Sequence, residues 1–272
     1  MFRKNLKSIL SQFPLVSQIF RNTRDLLEKN KPSRRTSWGF QLAGNESMVN
    51  GSFEPVETKM VRNLLNEVEL FVNIGANIGY YCCHSLSLGK PVIAIEPIAR
   101  NLHFLLKNLH TNGWAHEAEV YPVALGAETD ILNMWGSGTG ASLIKGWASI
   151  PESYVTQVPV HTLDRILDNN AIYNKKKLIL VDIEGAEFMM LKGSPKTLQS
   201  EPRPIWMMEI TTKEHQPEGT VINPFFEKTF ELFFSYGYQA FTAEEKSREI
   251  TKKQVFEITQ NPDIQKTHNF IF

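Results

Sequence analysis

The stretch Phe71-Val72-Asn73-Ile74-Gly75-Ala76-Asn77-Ile78-Gly79-Tyr80-Tyr81 reads as a strand that runs through a glycine-bearing turn into a helix. Gly75 lets the backbone turn with no Cβ in the way, and Gly79 lets the start of the helix lie close to a strand or a ligand. A ligand then rests directly on main chain. Tight packing of strand against helix would also explain such a turn, so the next strand decides. In Val92-Ile93-Ala94-Ile95-Glu96-Pro97, Glu96 stands at the strand's carboxyl end about 20 residues on, where a carboxylate can accept both hydroxyl hydrogens of a ribose. Together the two segments describe a site for an adenosine-containing cofactor.

Outward from this pair, short apolar runs recur at Leu70 to Ile74, Val92 to Ile95, Val120 to Val123, Leu178 to Val181 and Ile205 to Met208. Stretches suited to helices separate them, which predicts an α/β fold: a doubly wound, mostly parallel sheet buried on both faces. Ahead of this block, Ser37 to Ala43 and Ser47 to Phe53 flank Gly44-Asn45 and predict a β-hairpin, and Pro55 to Leu65 predicts a helix. Behind it, Phe225 to Tyr236 has helical spacing ended by Gly237, and Tyr238 to Phe241 and Asn269 to Phe272 predict two late strands. Lys175-Lys176-Lys177 reads as a solvated turn before the strand at Leu178.

With 272 residues and 42% hydrophobic content, the chain is expected to form one principal domain. Its expected organisation is a basic helical arm over residues 1–36, a hairpin and helix over 37–68, and the cofactor-binding sheet over 69–272. Residues 1–40 hold nine Lys and Arg against Asp25 and Glu28, which leaves them near +7 and the remainder near −7. A mildly acidic body argues against a nucleic-acid groove. Within the arm, Phe2, Leu6, Ile9, Leu10, Phe13, Val16, Ile19 and Phe20 fall near helical spacing. Such a helix packs on its own domain or on a second copy of the chain in a homodimer, or it makes peripheral contact with a membrane. No apolar run approaches the roughly 20 residues that span a bilayer. Cys82 and Cys83 read as buried thiols of a reducing compartment, and the expected location is cytoplasmic.

The spacing of the turn bears on the cofactor. A dinucleotide site normally shows Gly-x-Gly-x-x-Gly, and Gly75 to Gly79 is one glycine short. S-adenosylmethionine has no phosphate to seat. Asn73 to Tyr81, Glu96-Pro97, Val160 with Thr162-Leu163-Asp164, Val181-Asp182-Ile183-Glu184-Gly185-Ala186-Glu187 and Met190-Leu191-Lys192-Gly193 resemble the FkbM family of S-adenosylmethionine-dependent methyltransferases. The resemblance extends forward to Phe53-Glu54-Pro55 and back to Asn269 to Phe272, over roughly residues 40 to 272.

The resemblance implies a seven-stranded class I methyltransferase (Rossmann-like) fold with its last strand antiparallel, and O-methylation of a sugar, glycan or other small hydroxyl compound. Carried onto this chain it brings Glu54, Asn73, Gly75, Ala76, Asn77, Gly79, Tyr80, Glu96, Pro97, Ala124, Leu125 and Asp182 to the cofactor, and Ser142, in the Gly- and Ser-rich stretch Trp135 to Tyr154, is expected to offer a hydrogen bond to cofactor or substrate. The family usually has an acid where this chain has Asn73. Asn73→Asp is therefore expected to tighten cofactor binding. The competing readings are a nicotinamide-dependent oxidoreductase on a similar sheet and a non-catalytic module that keeps the fold.

Transfer of an activated methyl group to a hydroxyl asks for alignment and for a group that accepts the proton. Asp182, at the end of the fourth strand, is the first choice as base; Glu209, ending Trp206-Met207-Met208-Glu209, and His215 in the following loop are further catalytic candidates. Glu184 and Glu187 are expected to meet substrate, although an acid in a helix's first turn also serves as a cap. Trp147, in the Gly- and Ser-rich stretch Trp135 to Tyr154, either offers a sugar its face or is buried. The acids come without a paired histidine, so no metal is expected.

Overall fold

The computed structural model describes residues 31–168 and 174–272, so the expected helix of the basic arm within residues 1–20 lies outside it. Strands β1 (Arg34–Arg35) and β2 (Gln41–Leu42) pair antiparallel and are followed by α1 (Glu46–Asn50), α2 (Pro55–Leu65), β3 (Leu70–Ile74) and α3 (Tyr80–Ser87). The chain continues through β4 (Val92–Ile95), α4 (Ala99–Thr111), β5 (Ala118–Tyr121), β6 (Ala124–Leu125), β7 (Asp130–Trp135) and β8 (Val155–His161). Then come α5 (Leu163–Asp168), β9 (Lys177–Val181), α6 (Glu187–Lys192), α7 (Pro195–Leu198) and β10 (Ile205–Glu209). The last elements are α8 (Phe226–Ser235), β11 (Ala240–Thr242), β12 (Glu249–Ile250), α9 (Lys252–Gln260) and β13 (Asn269–Ile271).

The main sheet has the order β12-β11-β13-β10-β9-β3-β4-β5. Strands β5, β4, β3, β9 and β10 run parallel, and β13 is antiparallel to both β10 and β11. This is the expected seven-stranded sheet with its last strand reversed, plus the two-residue β12 on the edge. Every residue of β3, β4 and β9 is buried, because helices cover both faces. Side chains alternate across the pleat: Val72, Ile74, Ile93 and Val181 face one core, and Phe71, Val92, Ala94 and Leu180 face the other. Each such Val, Ile, Leu or Phe side chain contributes about 1.5–3 kcal/mol relative to exposure.

Three local expectations differ. The hairpin lies at 34–42, not at 37–53, because the Asn45 side chain accepts the Met48 N–H at 2.9 Å and caps a helix where a turn was expected. The strand expected over Val120 to Val123 ends at Tyr121, since Pro122 has no N–H to continue the ladder. The chain then enters a separate three-stranded sheet, β6-β8-β7. Lys177 is not in a solvated turn: it opens β9, pairs with Leu70 and is fully buried. Cys82 and Cys83 are buried free thiols on α3. Among the described residues no helix is long and apolar enough to cross a membrane.

Candidate functional site

The parallel strands end together, and the turns that follow them build the site. Gly75, at φ +81°, leaves β3 so close to the end of β9 that an added Cβ would collide with the Asp182 carbonyl oxygen. Gly75 and Ala76 both donate their N–H to the Ile95 carbonyl, at 2.9 and 3.0 Å, and Asp182 donates to the Ile74 carbonyl at 3.1 Å. The ends of β3, β4 and β9 are thereby tied into one unit. Asn77, at φ +49°, donates its N–H to Glu96 Oε2 at 2.8 Å. Gly79 is buried. Its positive φ, +82°, favours glycine, and an added Cβ would stand 2.5 Å from Leu105 Cδ1 on α4, so the residue also serves helix packing.

Three clefts open along these strand ends. The first, open to solvent, holds about 560 Å³ of empty space between Gly75, Glu96, Pro97, Ala124, Leu125 and Asp182. The second, about 620 Å³, lies between Glu54, Asn73, Ala76, Tyr80, Asp182 and Glu209. A smaller third, about 250 Å³, lies between Trp147, Asp182, Glu184, Glu187, Glu209 and His215. Gly75 and Asn77 line the first two, Glu209 the last two, and Asp182 all three. Asn73 is buried and its amide donates to Cys82 Sγ at 3.4 Å. An aspartate there would join Glu54, Asp182 and Glu209 on one cleft, and desolvation opposes the gain in cofactor affinity expected for Asn73→Asp.

Electrostatics at this junction are governed by crowded carboxylates. Asp182 is open to water through the clefts but hemmed in by protein, and its carboxyl is held well above the usual range by desolvation and then by Glu209, Glu184, Glu187 and Glu54. Burial pushes Glu96, Glu187 and Glu209 each up to about 7. The folded protein therefore holds protons that the unfolded chain releases near its ordinary carboxylate pKa. Their contribution to stability is present below about pH 4.5 and lost as pH rises past about 7. The melting temperature of the ligand-free protein is expected to fall between about pH 5 and pH 8, and Glu187→Gln to flatten that fall. A melting temperature that rises over this window would contradict the assignment.

Glu184 shows how the site is held. It sits at φ +55°, in the left-handed region, and three bonds from outside the turn hold the region around it. Ser142 Oγ donates to the Glu184 carbonyl at 2.6 Å, Trp147 Nε1 donates to Glu184 Oε2 at 2.7 Å, and Ala148 N donates to the His215 carbonyl at 2.8 Å. Ser142 is fully buried and lines none of the three clefts, and its hydroxyl is engaged in this support. Trp147 is only 3% exposed. Its ring packs on Gly185 and stacks on His215 with centroids 6.0 Å apart, leaving no open face for a sugar. Trp147→Ala is accordingly expected to cost about 3–5 kcal/mol of stability in a denaturant melt. A variant of wild-type stability with weakened acceptor binding would restore the platform reading. Glu187 Oε1 accepts the Gly185 N–H at 3.0 Å, which spends it on the turn. His215 is exposed at the rim of the third cleft. Glu54 Oε2 accepts the Tyr81 hydroxyl hydrogen at 2.6 Å, and Tyr80 is buried beside it under Phe53.

A parallel sheet reversed at its last strand, with an acid at the end of β4 and another at the end of β9, defines a class I methyltransferase fold. The chain belongs to the methyltransferase FkbM domain family, whose domain matches residues 73–240. Among solved structures it is similar to a methyltransferase FkbM from Methylobacillus flagellatus, with 16% identity, a TM-score of 0.41, and coverage of 94% of this chain and 60% of that one. A precorrin-6y C5,15-methyltransferase from Geobacter metallireducens has 13% identity and a TM-score of 0.42 over 73% of this chain and 78% of its own. A SAM-dependent methyltransferase from Agrobacterium tumefaciens has 8% identity and a TM-score of 0.35 over 67% and 49%. The chain thus spans 60% of the length of the first of these. No curated protein matches the chain.

Proposed function

We propose that the protein is an S-adenosylmethionine-dependent O-methyltransferase acting on a hydroxyl of a sugar, glycan or other small molecule. The observation that carries this reading is the position of Asp182, which lines the first cleft, the second and the third. A group there meets a cofactor and an acceptor at once.

The residues present fit this cofactor. Glu96 offers buried acceptor capacity to a ribose, and Val123, Ala124 and Leu125 give an apolar wall for a base. A dinucleotide fits less well, because the turn keeps most of its donors for itself. Gly75 and Ala76 spend their N–H groups on Ile95, Asn77 on Glu96 and Gly79 on the Ala76 carbonyl, which takes four of the five turn N–H groups from Gly75 to Gly79 away from a pyrophosphate. When bound, S-adenosylmethionine supplies a methyl group already activated by its sulfonium. Asp182 takes the proton of the acceptor hydroxyl, and its raised pKa makes it the stronger base once ionised. Glu184 and Glu209, which line the third cleft, accept hydrogen bonds from further acceptor hydroxyls. Among the described residues no Lys or Arg lines any of the three clefts, which suits an uncharged acceptor and not a nucleic acid.

The test is thermal shift and calorimetry with S-adenosylhomocysteine and, separately, NAD. At about a hundredfold over its dissociation constant the homocysteine product is expected to stabilise the protein by roughly 2.7 kcal/mol. Stabilisation by NAD alone would reverse the choice of cofactor. Transfer to oxygen is then read by mass spectrometry on a hydroxylated acceptor.

A further inference from the structure

Glu96 is placed to receive a vicinal diol, yet its neighbours have used most of its capacity. Each carboxylate oxygen can accept about two hydrogen bonds. Glu96 Oε1 already receives the Ile98 N–H at 2.8 Å and Asn101 Nδ2 at 3.2 Å. That oxygen is full. Glu96 Oε2 receives the Asn77 N–H at 2.8 Å and has room for one more donor. A ribose presents two hydroxyl hydrogens, so the carboxylate cannot take both without breaking a bond that holds the turn.

A second acceptor stands beside it. Asn101, near the start of α4, is 2% exposed and lines the first cleft. Its Nδ2 gives one hydrogen to Glu96 Oε1 and the other to the Gly138 carbonyl at 3.1 Å. Its Oδ1 is buried and has no partner among the described residues. The amide's orientation is dictated by those contacts, because the Gly138 carbonyl can only accept, and a flipped amide would set oxygen against oxygen. A buried acceptor without a partner, on a residue that lines a ligand cleft, is costly unless a ligand supplies the donor.

We infer that Asn101 is the second half of a diol clamp: Glu96 Oε2 accepts one ribose hydroxyl hydrogen and Asn101 Oδ1 accepts the other. The inference rests on the first cleft being the cofactor site. It also gives Asn101 a second duty, since the same amide ties Gly138, which also lines the cleft, to the carboxylate.

The experiment is calorimetry of the wild-type protein and Asn101→Leu with S-adenosylhomocysteine and with its 2′-deoxy and 3′-deoxy analogues. Wild type is expected to bind each deoxy analogue roughly tenfold more weakly than the diol. In Asn101→Leu the diol itself should bind about tenfold more weakly, and one analogue should show no further loss while the other keeps its penalty. Both analogues keeping their wild-type penalties in the variant would overturn the clamp and leave the cofactor reading standing. Failure of wild type to bind S-adenosylhomocysteine would remove both. Should Asn101→Leu not fold, a crystal structure of the wild-type complex decides: a hydroxyl within hydrogen-bond distance of Asn101 Oδ1 supports the clamp, and both hydroxyls on Glu96 overturn it.

Discussion

Asp182→Asn is expected to lower kcat by about 10²- to 10⁴-fold while the affinity for S-adenosylhomocysteine stays within a few-fold of wild type. Asparagine keeps the shape and the place of the side chain at the meeting of the clefts but accepts no proton. The backbone is insulated from the change, because it is the Asp182 main-chain N–H and carbonyl that meet Ile74 and Gly75. The pH profile gives an independent signature. Desolvation, and then repulsion by Glu209, Glu184, Glu187 and Glu54, raise the pKa of Asp182, so the base ionises late and the rate should climb with pH above the usual carboxylate range. Glu209→Gln removes the largest of the repelling charges and should move that limb to lower pH. A limb that does not move, or Asp182→Asn with near-normal kcat, would take the proton-accepting role away from this residue.

How much of this was legible in sequence depended on whether a residue's task was local. β3, β4 and α2 have the bounds that apolar runs, Pro55 and the glycine turn indicate, since strand burial and helix starts are written in neighbouring residues. Glu96 and Asp182 were legible for the same reason: each is an acid where a buried run stops. Tasks set by distant contacts were not. Gly79 looks like a ligand-facing glycine but answers to Leu105 on α4, and Ser142 looks like a loop hydroxyl but holds the Glu184 carbonyl. Asn101 lies among the polar and apolar residues of an amphipathic helix, and nothing in its spacing says that one edge of its amide is spent on Glu96 and Gly138. The signal that could have found it is its place five residues after Glu96, on the first turn of the helix that leaves the same strand end.

Two glycines of one turn make the sharpest comparison. Both have positive φ, +81° at Gly75 and +82° at Gly79, so alanine is strained at either, by about 1–3 kcal/mol from conformation alone. They differ in what the new methyl would strike. At Gly79 it meets Leu105 Cδ1, the far end of a flexible side chain that can rotate away. At Gly75 it meets the Asp182 carbonyl, which is backbone and is fixed by the Asp182 N–H bond to Ile74 at 3.1 Å. Relief there requires β3 and β9 to separate at their carboxyl ends, which displaces Asp182 and breaks the shared wall of the first and second clefts. Gly75→Ala is therefore expected to weaken S-adenosylhomocysteine binding by more than about a hundredfold and to lower the melting temperature, whereas Gly79→Ala lowers the melting temperature with little change in affinity. Equal losses of affinity in the two variants would mean that the turn acts on the cofactor through α3 and not through the junction of β3 with β9.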